Sequence, residues 1–429
     1  MPSTKITPEA DQPLYGQQTT LSLANFTAPG RTLADVPAFV RNYALVKLAA
    51  ARANHSLGVL DSAQRDGIVA ACEEVAAGHH ADQFPSALLL GGGGTTTNMN
   101  VNEVIAARAS QLAGVAVHAN DHVNASQSTN DTYPTAMALT VFDLVEHPVQ
   151  ALGELARALE DKAAEFDATP HLGRTCLRDA VSLTAGQSHR SQAAAIRRTC
   201  EDLRSSVAAM SSVPLGATAI GTGVGAPDGY QELAIGELAS LTGRDLRPAV
   251  DPFDALAHLD PYAAVAAAGA RTGLTMAKVA ADVRLLSSGP AGGFGDLNIP
   301  AVQAGSSIMP AKVNPAIPEY VMQLSYRIRG TAHTVEFAVA AGELELNVME
   351  PVIIDALITI FGDLAAAATC FARRCVTGIS WDGHRREENL AAALDSWVTL
   401  AATRGYDATT TQYRNNNLSA TGRNGDGHV

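Results

Sequence analysis

Five long stretches of helix-forming residues constrain this chain more than any other feature of its sequence. Each is rich in Ala, Leu, Arg and Glu and exceeds by several turns the usual helix length of about 11–12 residues. They cover residues 134–168, 185–212, 262–288, 316–342 and 352–375. Helices of such length bury their apolar sides against one another, whereas the alternating pattern of β-strands is scarce. The sequence therefore predicts a mainly α protein with a central bundle of long helices.

Composition excludes several classes of protein. Of the 429 residues, 47% are hydrophobic and 17% are charged, which is typical of a globular chain of more than one domain and not of a disordered one. The 30 basic and 43 acidic residues give a net charge of −13, which argues against nucleic acid as a partner because phosphate binding relies on a basic surface. No apolar run reaches the roughly 18 residues of a membrane helix, so no membrane association is expected.

The cysteines and the chain ends lead to further expectations. The five cysteines are sparse and lack metal-ligand spacing, and the sequence does not start with a basic segment followed by an apolar one. Both observations favour a location in the reducing cytoplasm. The cysteine spacing also gives no reason to expect a bound metal. About the first 35 residues and about the last 20 lack helical periodicity, so we expect an extended arm and a loose polar tail.

Pro148 is expected to interrupt the helical stretch around it.

Four segments rich in Gly, Ser, Thr and Asn separate the helical stretches, and we expect them to be loops that carry the functional residues. They are residues 91–100, 118–131, 173–187 and 289–315. The most informative string is GSSIMPAKVNP at 305–315, which holds two hydroxyls, a lysine and an asparagine. Backbone N–H groups beside a glycine can bind an anion, and a lysine adds a charge suited to a carboxylate. This string predicts a carboxylate or oxyanion site with a hydroxyl beside it.

The same string resembles the signature loop of the aspartase/fumarase superfamily, in the form found in aspartate ammonia-lyases and class II fumarases. Further strings resemble segments of that superfamily and follow one another in its order. They are GGGGTTTNMNVNEVIAARA, NDHVNASQSTNDTYPTA, GRTCLRDAVSLTAGQ, GATAIGTGVGAP and ELELNVMEPVI. Together they extend from about Tyr15 to about Gly378, most of the chain. The chain is therefore identified as a member of this superfamily, with a serine loop and a GATAIGTG string that are closest to the aspartases.

The resemblance implies a mainly helical subunit of three domains that assembles into a homotetramer around a central helical bundle. Active sites would form where segments of three subunits meet. We expect an N-terminal domain over residues 1–133, a central helical-bundle domain over 134–350 and a short, atypical C-terminal domain over 351–429. The implied reaction is reversible β-elimination from a 2-substituted succinate, a small dicarboxylate, to give fumarate. No cofactor is implied.

The resemblance also implies roles for individual residues. Ser306 is the candidate general base, acting as an alkoxide on a mobile loop. Lys312, Asn314 and the N–H of Ser307 would bind the carboxylate that takes up negative charge. The residues that match substrate-binding positions are Thr95, Ser128, Thr129, Asn130, Thr175 and Cys176. Two further positions have supporting roles, since Glu319 would orient its neighbours and His122 would belong to a polar network.

Four departures from the superfamily pattern leave the substrate open. Cys176 stands where fumarases carry His and aspartases carry His or Gln, near the leaving-group end of the site. Leu21 replaces a usual Arg, Gly225 replaces a usual Asn, and the sequence after Gly378 does not resemble the small C-terminal domain. The leading expectation is L-aspartate, converted to fumarate and ammonia. The alternatives are a nitro- or N-substituted succinate, L-malate as in class II fumarases, and a non-catalytic relative.

Overall fold

The computed structural model describes residues 13–421, with side chains described as far as residue 416. Its helices, in chain order, are α1 (Gln17–Asn25), α2 (Pro37–Ser56), α3 (Ser62–Ala76), α4 (Thr95–Ala113), α5 (Thr129–Leu144), α6 (Glu146–Glu165), α7 (Ala185–Ala208), α8 (Tyr230–Thr242), α9 (Pro252–Ala257), α10 (Asp260–Leu286), α11 (Ala316–Val339), α12 (Glu350–Arg374), α13 (Gly383–Leu390), α14 (Asp395–Arg404) and α15 (Tyr406–Thr421). The strands are β1 (Pro170–Thr175), β2 (Arg178–Thr184), β3 (Ser212–Val213), β4 (Arg247–Pro248), β5 (Leu297–Asn298) and β6 (Ser380–Trp381). The predicted mainly α fold is confirmed.

The long helices lie where the sequence predicts them. Helices α7, α10, α11 and α12 match four of the five predicted stretches, and α5 and α6 together match the fifth. The interruption expected near Pro148 is also confirmed, because a break at Val145 separates α5 from α6. Pro148 then lies in the first turn of α6, where a helix needs no N–H donor.

Contacts divide the chain into two compact units. Of the described residues, unit 1 comprises those up to Gln150, Thr199–Leu274 and Ser325–Ala365, and unit 2 comprises Ala151–Arg198, Thr275–Leu324 and those from Ala366 onward. Each of the five helices α6, α7, α10, α11 and α12 contributes residues to both units. Each unit therefore consists of three segments that are separate in the sequence. The division into three consecutive domains, with boundaries after residues 133 and 350, stays a prediction.

Unit 1 holds a cluster of aromatic rings between α2 and α5. Phe39 and Tyr43 on α2 and Tyr133 on α5 are fully buried and meet edge to face, with ring centroids 5.2, 5.8 and 6.1 Å apart. Aromatic pairs in this geometry add stabilisation beyond the apolar area that they bury. Helix α2 also packs on α3 and α8, and α3 packs on α4. The cluster therefore fixes the N-terminal end of α5, where predicted site residues lie.

Unit 2 contains a β-hairpin in place of an expected loop. The expectation of a loop over residues 173–187 is wrong, because β1 and β2 pair antiparallel with Thr175 opposite Arg178. The pairing buries His171, whose ring lies 4.6 Å from that of Trp381 in β6. Most other hairpin residues are exposed, so no alternating apolar pattern marks the strands in the sequence. The other strands are two residues long, with β3 parallel to β4 and β5 antiparallel to β6.

The structure corrects the expectations for both chain ends. Within the predicted extended arm, α1 is helical, and the Glu103 carboxylate accepts a hydrogen bond from the N–H of Gly16 (2.9 Å) just before it. Within the predicted loose tail, α15 is helical, and Trp397 of α14 meets Tyr413 of α15 edge to face at 5.1 Å. The expectations for the remaining terminal residues lie outside the described range 13–421.

One helical segment in the described part of the chain, Glu350–Gly378, is long and apolar enough to cross a membrane, contrary to the expectation from the sequence. Its side chains Ile353, Leu357 and Leu364 have no exposed surface. Length and composition alone do not distinguish a membrane helix from a buried core helix. The burial of these side chains is typical of a core helix.

Candidate functional site

The serine loop, residues 305–314, is closed by contacts between its ends. The N–H of Gly305 donates to Lys312 O (2.9 Å), and Asn314 Nδ2 donates to Gly305 O (2.7 Å). A Cβ at position 305 would lie 2.4 Å from Lys312 O, so a side chain does not fit there. Lys312 Nζ in turn donates to Asn314 Oδ1 (2.5 Å). Three predicted site residues, Ser306, Lys312 and Asn314, are thus held in one loop.

Ser306 is half-buried in this loop, and the adjacent Ser307 is exposed. The Oγ of Ser306 accepts hydrogen bonds from the backbone N–H groups of Met309 (3.0 Å) and Ile308 (3.2 Å). Donors aimed at an oxygen favour its negatively charged form. The loop therefore supplies amide donors suited to an alkoxide at Ser306, while the ammonium of Lys312 donates to Asn314.

The segment that leads into the serine loop is attached to two other elements of unit 2. Asp296 is fully buried, and its carboxylate accepts hydrogen bonds from Arg174 Nη1 (2.6 Å) in β1 and from Asn389 Nδ2 (2.9 Å) on α13. The guanidinium of Arg174 also lies over the ring of Phe294, 4.4 Å from its centroid. Reasoning from the sequence missed Arg174 and Asp296. The available signal was one opposite charge in each of two segments that were already expected to be functional.

Thr175 and Cys176 lie exposed at the tip of the hairpin. Cys176 and Leu177 form its two-residue turn, with φ of +53° and +58°. Asn and Gly are the usual residues in such a turn, and the left-handed conformation costs about 1–2 kcal/mol for another residue. The turn is therefore strained, and it directs Leu177 outward with 65% of its surface exposed. Backbone strain of this kind concentrates at functional sites.

A cavity of about 510 Å³ lies beside the hairpin in unit 2. It is lined by the two strands, the start of α7 and the end of α10, and its polar lining includes Thr175, Ser188, Gln192 and Lys278. The residues of the serine loop are not part of this lining. Burial lowers the pKa of His171, which also borders the cavity, to about 4, so this imidazole is neutral near pH 7.

Thr95 is the first residue of α4, so the loop expected over 91–100 ends earlier than predicted. The N–H and Oγ1 of Thr95 both donate to Gly92 O, at 3.1 and 2.9 Å. The preceding Gly94 has φ +80°, and a Cβ there would lie 2.2 Å from the ring of Tyr133. This close approach fixes the start of α4. Free N–H groups at a helix N-terminus favour an anion. This position therefore suits the predicted role of Thr95, which is to bind a carboxylate of the substrate.

Ser128, Thr129 and Asn130 lie together at the N-terminus of α5. Ser128 caps the helix, since its Oγ accepts from the N–H of Asn130 (3.2 Å) and its N–H donates to Asp131 Oδ1 (2.9 Å). Asn130 Nδ2 donates to Ala219 O (2.7 Å). The segment thus presents hydroxyl groups at a helix N-terminus, a combination that suits a carboxylate.

Two buried charged residues next to this turn were missed by reasoning from the sequence. Asp131 has no exposed surface, its Oδ2 accepts from the N–H groups of Gly216 (2.9 Å) and Thr218 (3.0 Å), and burial raises its pKa to about 6. Lys47 on α2 also has no exposed surface, and its Nζ donates to Asn124 Oδ1 (3.0 Å). Burial lowers the pKa of Lys47 to about 7. A lysine inside the apolar string ALVKLAA was the available signal.

Glu319 and His122 lie in polar networks. Glu319, in the first turn of α11, accepts a hydrogen bond from Arg284 Nε of α10 (3.3 Å). The Nδ1 of His122 accepts from the N–H of His118 (2.9 Å), and its Nε2 lies 3.1 Å from Gln64 Nε2. These contacts suit the supporting roles predicted for both residues.

The predicted site residues therefore fall into two groups, one in each unit. In unit 1, α4 packs against α5, and the group consists of Thr95, His122, Ser128, Thr129 and Asn130. The group in unit 2 consists of Thr175, Cys176, Ser306, Ser307, Lys312, Asn314 and Glu319. Their roles toward a substrate stay predictions.

Comparison with known proteins identifies the relatives of this chain. A family model described as Lyase matches residues 5–330. The aspartate ammonia-lyase of Escherichia coli (strain K12) is 41% identical over 373 residues, which cover 85% of this chain and 78% of that relative. The class II fumarate hydratase of Thermosynechococcus vestitus is 40% identical over 400 residues, which cover 92% of this chain and 85% of that relative.

Solved structures share the fold over almost the whole chain. The fumarate lyase:delta crystallin from Brucella melitensis bound to cobalt has a TM-score of 0.91 at 38% identity, covering 96% of this chain and 90% of that one. The recombinant class II fumarase from Schistosoma mansoni has a TM-score of 0.89 at 33% identity, covering 95% of this chain and 89% of that one. The sequence strings, the family model and these likenesses agree. The chain belongs to the aspartase/fumarase superfamily of lyases.

Proposed function

We propose that this chain is an ammonia-lyase that converts L-aspartate to fumarate and ammonia, with Ser306 as the general base. The serine loop is the main support for the proposal. The Oγ of Ser306 accepts hydrogen bonds from two backbone N–H groups, and the same loop holds Lys312 hydrogen-bonded to Asn314. The 41% identity to an aspartate ammonia-lyase supports a nitrogen-containing substrate.

In the first step, the alkoxide of Ser306 takes a proton from C3 of L-aspartate. The electron pair left on C3 delocalises into the neighbouring carboxylate, which becomes an aci-carboxylate with two negative charges. Lys312, Asn314 and the N–H of Ser307 are the donors that bind this carboxylate. In other enzymes, one such oxyanion donor contributes about 10²–10³ in rate. A loop that closes over the substrate also excludes water and strengthens these contacts.

In the second step, the electron pair forms the C2–C3 double bond as the C2–N bond breaks. The amino group of aspartate carries three protons before the step, so it leaves as neutral ammonia and needs no added proton. The hydroxyl of malate would leave as hydroxide and needs a proton donor. At position 176 this chain has a thiol, which is a weak hydrogen-bond donor. An amine is therefore favoured over a hydroxyl as the leaving group.

The hydroxyl and amide groups of the other predicted site residues bind the two carboxylates and the leaving group of the substrate. These residues are Thr95, Ser128, Thr129, Asn130 and Thr175. Short O–H···O⁻ bonds suit a small dicarboxylate. The N-terminal positions of Thr95 on α4 and of Ser128 at the start of α5 add favourable helix dipoles.

We further propose a cytoplasmic homotetramer of three-domain subunits, with active sites shared between subunits. Helices α10 and α11 expose large apolar side chains, with exposed fractions of 50% at Leu274, 57% at Tyr326 and 77% at Phe337. Exposed apolar surface on long central helices marks a protein interface. All five cysteines are free thiols, which suits a reducing compartment.

Class II fumarase activity is the second candidate. The fumarate hydratase relative covers 92% of this chain, against 85% for the aspartate ammonia-lyase. Under this alternative, L-malate loses water to give the same product. The identity of the leaving group alone separates the two candidates.

A substrate panel tests the proposal. Purified protein is incubated with L-aspartate, L-malate and nitrosuccinate, fumarate is followed by its ultraviolet absorbance, and the mass of the assembly is measured by light scattering. We expect fumarate to form fastest from L-aspartate, with the mass of a tetramer. Faster formation of fumarate from L-malate than from L-aspartate would establish fumarase activity. Formation of fumarate from nitrosuccinate alone would establish a different nitrogen leaving group. Fumarate binding without any turnover overturns both and identifies a non-catalytic relative.

A further inference from the structure

Lys47 is a buried lysine whose amino group has amide partners. The ammonium has no exposed surface, and it donates to Asn124 Oδ1 and to Gln127 Oε1, both at 3.0 Å. Both amides belong to the segment that leads into α5. Burying an unpaired charge is expensive, and an apolar residue at this position of α2 would avoid that expense. The buried amino group is therefore expected to have a role in this segment.

The hydrogen-bond partners of Lys47 connect it to a predicted substrate-binding residue. Asn124 Oδ1 accepts three hydrogen bonds, from Lys47 Nζ and from the Nδ2 groups of Asn98 and Asn102, both at 3.1 Å. Asn98 Nδ2 also donates to Thr129 Oγ1 at 3.1 Å. A chain of hydrogen bonds thus connects the ammonium of Lys47 to the hydroxyl of Thr129 through two asparagine side chains.

The direction of these bonds sets the orientation of the Thr129 hydroxyl. Because its oxygen accepts from Asn98, its proton is left to donate elsewhere. A carboxylate is a strong acceptor for such a proton. Gln127 is held in the same way, since its Nε2 donates to Val123 O (3.0 Å) and to Ala125 O (2.9 Å) while its Oε1 faces Lys47.

We propose that Lys47 is a positioning residue, which through Asn124 and Asn98 holds the hydroxyl of Thr129 in the orientation that binds a substrate carboxylate. The inference rests on the proposed function, which makes Thr129 a substrate-binding residue. Lys47 itself does not contact the substrate. The role is distinct from that of Lys312, which lies in the serine loop of unit 2.

The test compares Lys47→Met with Lys162→Met as the matched control. Lys162 is also a buried lysine, 8% exposed, but its Nζ donates to Ile379 O (2.9 Å) and to Glu165 Oε2 (2.8 Å), both in unit 2. We expect Lys47→Met to raise the KM for L-aspartate and the dissociation constant of fumarate about tenfold, with kcat changed by less than about threefold, because uniform binding is lost. Lys162→Met is expected to lower the melting temperature without changing KM.

A double-mutant cycle with Thr129→Ala separates positioning from a general loss of stability. If Lys47 acts through Thr129, Lys47→Met adds nothing to the KM of Thr129→Ala, so the effects are not additive. Independent effects that multiply overturn the proposal, as does a KM of Lys47→Met equal to that of the wild type. Should Lys47→Met fail to fold, Asn98→Ala breaks the same chain of bonds, and a wild-type KM in that variant also overturns the proposal.

The measurement of fumarate binding keeps this inference separate from the proposed function. A wild-type protein that forms no fumarate refutes the lyase activity, yet its fumarate dissociation constant still responds to Lys47→Met if the inference is right. A wild-type protein that is active, with an unchanged dissociation constant in Lys47→Met and in Asn98→Ala, refutes the inference alone.

Discussion

Arg174 Nη1 lies 2.6 Å from Asp296 Oδ2, and this ion pair joins the hairpin that carries Thr175 and Cys176 to the segment before the serine loop. Both partners are withdrawn from water, with 10% of the Arg174 side chain exposed and none of Asp296. Asn389 satisfies the second carboxylate oxygen at 2.9 Å. The hairpin tip and the segment before the serine loop, both in unit 2, are therefore joined by one buried electrostatic contact.

Asp296→Asn is expected to destabilise the protein by about 3 kcal/mol or more, because it leaves the charge of Arg174 buried and unneutralised. The free energy of unfolding in urea measures the loss. The matched control is Asp167→Asn, whose partner Arg190 forms an exposed ion pair with side chains 65% and 59% exposed, and which should change stability by less than about 1 kcal/mol. Equal effects of the two substitutions would show that the buried ion pair contributes no more to the free energy of unfolding than the exposed one.

Ser306→Ala is expected to lower kcat for fumarate formation by about 10²–10⁴, the usual contribution of a general base. The melting temperature should not change, since Ser306 lies in a half-exposed loop. Steady-state kinetics and thermal unfolding are measured on the same preparation. Ser56→Ala, which removes an exposed hydroxyl on α2, is the control and should keep full activity. Full activity in Ser306→Ala would exclude this serine as the base.

Gly305→Ala is expected to abolish most of the activity by opening the serine loop. The added Cβ would lie 2.4 Å from Lys312 O, which accepts the N–H of Gly305 to close the loop, and 2.7 Å from the backbone nitrogen of Asn314. Gly236→Ala on α8 is the control, because nothing lies within 4 Å of its added Cβ. Kinetics of both variants check the prediction. It is wrong if Gly305→Ala retains the activity of Gly236→Ala.

The sequence predicts the long helices well because each contains its own signal. Repeated apolar spacing and strong helix formers determine a helix locally, so the bounds of α7, α10, α11 and α12 follow from the sequence. The break between α5 and α6 follows from Pro148 for the same reason. The serine loop is also predicted as a loop, since its glycine, proline and polar residues lie in one short stretch of the sequence.

The hairpin and the buried charges could not be predicted in the same way, because distant contacts determine them. The strands β1 and β2 have few buried residues, and His171 packs against Trp381, which is far away in sequence. Lys47 lies 77 residues from Asn124, and a lone lysine in an apolar helix ordinarily extends its charge to water. Only the fold shows that this ammonium ends among amide oxygens.

The stability of the protein is expected to depend on pH through the two buried charges next to α5. The folded-state pKa of Lys47 is about 7, against 10.5 for a free lysine, so between these values the unfolded chain binds more protons. The free energy of unfolding then rises with pH across this interval, by up to about 1.4 kcal/mol per unit. Asp131 acts at lower pH, since its raised folded-state pKa of about 6 makes stability fall as pH rises from about 4 to about 6.

Urea unfolding of the wild type and of Lys47→Met at a series of pH values measures this dependence. The rise above about pH 7 should be lost in Lys47→Met, because its side chain does not titrate. It should persist in Lys162→Met. A rise that persists in both variants would assign the dependence to other groups.

The leaving group is expected to respond to the residue at position 176. Cys176→His places an imidazole at the exposed hairpin tip, where the φ of +53° is one that histidine adopts more readily than most residues. An imidazolium can protonate a departing hydroxide, whereas departing ammonia needs no added proton. The rate with L-malate relative to L-aspartate should therefore rise about tenfold or more in Cys176→His. Cys176→Ser, which adds no group that titrates near neutral pH, should leave this ratio unchanged. An unchanged ratio in Cys176→His would mean that the hairpin tip does not face the leaving group.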